Sequence, residues 1–138
     1  MTAEQPSVLF VCVKNAGKSQ MAAGLMRQIA GDTVEVHSAG TRPGTAVNAL
    51  SAEALREIGI DLSDEVPKAI DLDLLRHVDL VVTLGREAVV DQPGVRVVNW
   101  DTDEPSERGI EGIERMRLVR DDIADRTRTL ATELTIAP

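Results

Sequence analysis

One cysteine, one glycine, two lysines and a serine lie together in CVKNAGKS, residues 12–19. Gly17-Lys18-Ser19 ends this stretch as a phosphate-binding P-loop ends. That motif places a further glycine five residues before Gly17, where this chain has its sole cysteine, Cys12. A thiolate at the mouth of an anion-binding loop is a nucleophile with a ready oxyanion cradle. The backbone N–H groups of Val13, Lys14, Asn15, Ala16, Gly17, Lys18 and Ser19 can converge on one centre, and a helix start behind them adds partial positive charge. Lys18 supplies a full charge and Lys14 is placed to add another. The same field stabilises the Cys12 thiolate, and Ser19 can donate a hydrogen bond to it. Asn15 is expected to fix the loop through side-chain bonds to its own backbone.

Two plainer readings compete. A lone cysteine ending a buried strand is usually an inert core residue; the glycine, lysine and serine at these offsets argue otherwise. A nucleotide loop would need the missing glycine and a magnesium-binding Asp at a strand end. Asp79 instead precedes LVV.

The elements around this loop must hold it. SVLFVCV is a continuous apolar run of strand length, suited to burial on both faces. KSQMAAGLMRQIAG reads as a helix with Met21, Leu25 and Ile29 spaced by four and Gly31 as its stop. VEVHS is a short strand, followed by the loop AGTRPG. NALSAEALREIG is a helix closed by Gly59, and DLDLLRHV a short helix capped by Asp71. DLVVTLG and VRVVNW read as two further buried strands. From Ile110 onward, Ile113, Met116, Val119, Ile123, Leu130 and Leu134 fall near one face of a long amphipathic helix. Four strands alternating with helices predict one α/β domain over residues 1–138. Its four-stranded parallel sheet is flanked by helices, with the anion-binding loop after strand 1. Ligands in such sheets sit at the carboxyl ends of strands, where Cys12 lies.

Bulk properties narrow the function. The 138 residues carry a net charge of −8, which disfavours nucleic-acid and anionic-membrane partners. No apolar run has the length of a membrane span, and MTAEQPS lacks the features of a secretory signal. A single cysteine forms no internal disulfide, and a cytoplasmic location is expected. Phe10 and Trp100 are the sole aromatics, so a flat ring substrate has little to stack on.

CVKNAGKS resembles the anion loop of the low-molecular-weight tyrosine phosphatase family, Cys-x-x-Asn-x-x-Arg-Ser, with Lys18 in place of arginine. HSAGT, ALREIGID, PKAID and DLVVTLG are similar to recurrent stretches of that family. WDTDEP resembles its general-acid loop, with Glu104 where Asp usually precedes the proline. Within the family the chain looks most similar to arsenate reductases, and among these to arsenate–mycothiol transferases, through GKSQMA, the lysine and the Glu-Pro pair. The resemblance implies Cys12 as nucleophile, Lys18 and Ser19 as its supports and Glu104 as general acid, with Asp101 and Asp103 competing for that last role. It implies arsenate and mycothiol as substrates, a transient mycoredoxin partner, and no bound cofactor, nucleotide or metal. Thioredoxin-linked relatives keep a further cysteine just after VVTL; here that position is Gly85. A phosphatase acting on a small phosphate ester and a non-catalytic oxyanion-binding module are the alternatives. A homodimer is left open.

The remaining polar residues have bland readings beside them. Arg42 could face the anion site or the thiol partner, or be a solvated loop arginine. His37 reads as a structural strand-end hydrogen bonder and His77 as part of a helix, neither with metal-ligand neighbours. Trp100 is expected to pack near the acid loop. The charges of the last helix, Glu114, Arg117, Arg120, Asp121 and Asp122, read as a solvated face with weak pairs.

Overall fold

The computed structural model describes residues 5–135; the outer residues of MTAEQPS, 1–4, lie outside that range. Along the chain run β1 (Ser7–Cys12), α1 (Lys18–Ala30), β2 (Glu35–Gly40), α2 (Ala49–Arg56), α3 (Leu72–His77), β3 (Leu80–Leu84), β4 (Val97–Trp100) and α4 (Gly112–Thr135). Short 3-10 turns occupy Gly31–Thr33 and Pro105–Arg108. The strands form one fully parallel sheet in the order β2-β1-β3-β4. This is the single α/β architecture expected from the alternating elements.

Strand geometry explains the uninterrupted apolar run of β1. Successive side chains point to opposite faces, and both faces are covered. Val8, Phe10 and Cys12 join Leu80, Val82 and Leu84 in a core shared with Met21, Leu25, Val119 and Ile123. Leu9, Val11 and Val81 face the other way, onto Leu75, Val78 and Ala39. Asp71 caps α3 as expected, its carboxylate accepting from the N–H groups of Asp73 and Leu74. Asp79 serves the fold: its carboxylate accepts from the backbone N–H of Ser7 at the start of β1, at 2.8 Å.

Two expectations need correction. Ile29 does not continue the buried stripe of α1 and is 39% exposed, because the inward face is Met21, Ala22, Leu25 and Met26. β4 is not buried on both faces. It is the edge strand; Val98 and Trp100 pack on the core while Val97 and Asn99 face outward. Among the described residues no helix is long and apolar enough to cross a membrane.

Candidate active site

β1 ends at Cys12 and α1 begins at Lys18, so the five residues between them form the loop. The carbonyls of Cys12, Val13, Lys14 and Ala16 are claimed from one side, while Asn15 O accepts from Gln20 Nε2 and Gly17 O from Met21 N–H. Thr41 N–H donates to Cys12 O, Arg42 N–H to Val13 O, Gly44 N–H to Lys14 O and Asn48 N–H to Ala16 O, at 2.7–3.1 Å. A trans peptide points its N–H opposite to its carbonyl. The N–H groups of Val13, Lys14, Asn15 and Gly17 are thereby turned away from the 41–48 segment. Asn15 has φ of 53°, the left-handed conformation that lets successive N–H groups line a concavity.

Asn15 works through other partners than its own backbone, which corrects the expectation. Its Nδ2 donates to Ser19 Oγ at 2.7 Å, and its Oδ1 accepts from Lys68 N–H at 3.0 Å and from Gln20 Nε2 at 3.2 Å. Ser19 Oγ is 2.9 Å from Cys12 Sγ. Because Ser19 already accepts from Asn15, its single hydroxyl hydrogen is free to donate to the thiolate. Cys12, Asn15, Ser19 and Gln20 are all buried. Gly40 closes the arrangement from behind. A Cβ there would stand 2.7 Å from Val13 O and 3.0 Å from Asn15 N. HSAGT and PKAID thus have a shared reason to surround the loop, since Gly40 N–H also donates to Lys68 O.

Across the loop, Lys18 Nζ forms an ion pair with Glu104 Oε1. Both line a cavity of about 410 Å³ with Cys12, Val13, Gly85, Arg86, Glu107 and Arg115. The competing carboxylates are engaged elsewhere. Asp103 receives two hydrogen bonds from the Arg108 guanidinium, at 2.8 and 2.9 Å, which hold its carboxyl below the usual range. Asp101 pairs with Arg86 at 3.1 Å. Glu104 is thus the acid-loop carboxylate that reaches the cavity with Cys12 and Lys18.

Not every expected residue converges here. Arg42 is exposed, and neither it nor Lys14 is among the cavity residues. His37 bonds Glu35 at 3.0 Å, a structural role, and the described residues contain no group of metal-ligating side chains. Trp100 packs against Phe10, ring centroids 5.7 Å apart. The acid loop is braced from α4. Asp122 accepts from Asp103 N–H at 2.8 Å, and Arg126 pairs with Asp122 and donates to Asp101 O. The charges of α4 are therefore not all a solvated face. Arg86, Glu107 and Arg115 were not singled out from sequence, and no local motif marks them. Gln20 was visible inside GKSQMA without a role.

A buried thiol, hydrogen-bonded by a serine inside a strand-to-helix loop, thus faces a lysine–carboxylate pair at the carboxyl end of a parallel α/β sheet. Residues 7–137 match the family described as low molecular weight phosphotyrosine protein phosphatase, and the chain belongs to it. An arsenate reductase of Bacillus subtilis is 34% identical over 93% of this chain and 96% of its own length. A putative arsenate reductase of Halobacterium salinarum is 35% identical over 90% and 89%. Among solved structures, a thioredoxin-dependent arsenate reductase of Corynebacterium glutamicum superposes with a TM-score of 0.80 at 33% identity. It covers all of this chain, which spans 66% of that longer one.

Proposed function

We propose that this protein is a cytoplasmic arsenate reductase that passes arsenic from Cys12 to a small external thiol, mycothiol. The observation that carries the reading is the Asn15–Ser19–Cys12 relay inside the anion loop, in a chain with one cysteine. The names of the relatives support arsenate as the substrate.

In the first step the Cys12 thiolate attacks the arsenic of arsenate held by the loop N–H groups and Lys18. An S–As bond forms as an As–O bond breaks. Glu104 acts as the proton donor to the departing oxygen, which leaves as water. In the second step mycothiol's sulfur attacks the same arsenic and the Cys12 thiolate departs. The product is an arseno(V)–mycothiol conjugate, with no change in oxidation state so far. Two electrons then come from thiols. Mycoredoxin attacks the conjugate's sulfur, arsenite leaves as As(III), and a mixed disulfide with mycothiol remains. A resident metal or cofactor has no part in these steps.

Cys12→Ser tests the nucleophile. Serine is close in size but stays protonated at neutral pH, so the fold should persist while turnover disappears. Circular dichroism checks the fold, and mass spectrometry of quenched reactions checks for the conjugate. More than a few per cent of wild-type turnover in this variant excludes Cys12. Efficient aryl phosphate hydrolysis without arsenate turnover would assign the site to a phosphatase, and anion binding with neither activity to a binding module.

A further inference from the structure

Three cations line the cavity: Lys18, Arg86 and Arg115. Two are already neutralised. Lys18 pairs with Glu104, and Arg86 with Asp101 and Glu107. Arg115 has no ion pair among the described residues, and its Nε is buried without a hydrogen-bond partner. A buried donor with no acceptor is costly to the folded protein. Its position adds to the cost. Arg115 lies in the first turn of α4, where the positive end of the helix disfavours a cation. Arg117 and Arg120, further along the helix, both bond the Glu57 carboxylate.

We propose that Arg115 is a second ligand of the oxyanion, its guanidinium reaching the arsenate oxygens from the side opposite the loop. This rests on the oxyanion reading of the cavity and extends it to a residue on another element. The chemistry complements the loop. Lys18 offers a point charge that Glu104 shares, whereas a guanidinium offers a planar fork matched to two oxygens of a tetrahedral anion. The cavity, about 410 Å³, is far larger than one such anion, so a long side chain from α4 can close over it.

The test uses protection of Cys12 from iodoacetamide by arsenate and by inorganic phosphate, with each protein normalised to its own unprotected rate. This readout needs no turnover and no thiol co-substrate. Arg115→Met should raise the anion concentration for half-protection by about tenfold to a hundredfold, the value of a charged hydrogen bond. Arg115→Lys should recover part of that loss. Thermal midpoints near wild type for both variants establish that the fold is kept. Unchanged half-protection in Arg115→Met overturns the proposal. So does a raised KM for the thiol with anion protection intact, which would assign Arg115 to thiol docking. Absence of protection in the wild-type protein defeats the oxyanion site itself, and this inference with it.

Discussion

Glu104 and an oxyanion compete for the same ammonium group, Lys18 Nζ. In the proposed mechanism a bound oxyanion therefore draws Lys18 away from the carboxylate. The ion pair thus couples oxyanion entry to the release of Glu104 within the cavity. Glu104→Gln removes the competitor and the proton together. Oxyanion binding should tighten by up to about fivefold, the scale of a part-exposed ion pair. Adduct formation on Cys12 should slow by about 10²–10⁴-fold. Titration with phosphate and single-turnover kinetics measure the two effects separately. A variant that binds more weakly and reacts at the normal rate would return the acid's role to Asp103 or Asp101. In DTDEP the resemblance favours Glu104 by its place before the proline, with Asp101 and Asp103 competing. What separates them is tertiary: Arg108 and Arg86 occupy the two aspartates.

Between elements, the anion loop owes its shape to backbone contacts that a sequence does not display. Cys12, Lys18 and Ser19 were legible because their spacing is local. Gly40 stood in HSAGT without a reason until the strand register set it beside Val13 O and Asn15 N. Gly40→Ala puts a methyl group against backbone atoms that have no rotamer to yield. The loop must shift, at a cost of about 1–3 kcal/mol for overpacking. A lowered thermal midpoint and a loss of turnover larger than the loss of stability explains are the expected outcomes; normal kinetics would show that the loop tolerates displacement. The tie between α2 and α4 was equally hidden. Glu57 bonds Arg117 and Arg120, and the Arg117 bond above all lowers its carboxyl from 4.5 to about 2. A folded-state value below the unfolded one gives stability that is complete above the unfolded value. That stability fades as pH falls toward the folded one. Glu57→Gln should therefore differ from wild type in thermal midpoint at pH 6 and converge with it as the pH approaches about 2. A gap independent of pH would show that Glu57 acts by packing alone.

For the whole molecule, the decisive number is one cysteine in 138 residues. In the proposed mechanism an arsenylated Cys12 finds no second cysteine in this sequence to resolve it, so an internal disulfide is not expected as a substrate for thioredoxin. In that mechanism the attacking thiol comes from solution and reaches a buried sulfur through the cavity that Cys12 lines. Gly85 sits in that wall with φ of 88°, and a Cβ built there would stand 3.8 Å from Lys18 Nζ. Glycine suits both the backbone conformation and the open space beside the ammonium. Thioredoxin and its reductase as sole thiol source should accordingly give no arsenite. Mycothiol with mycoredoxin should give sustained turnover, and mycothiol alone should stop at the arseno–mycothiol conjugate. Steady arsenite production from thioredoxin alone would sink the external-thiol mechanism. Turnover with glutathione at the rate seen with mycothiol would keep the mechanism and change the thiol.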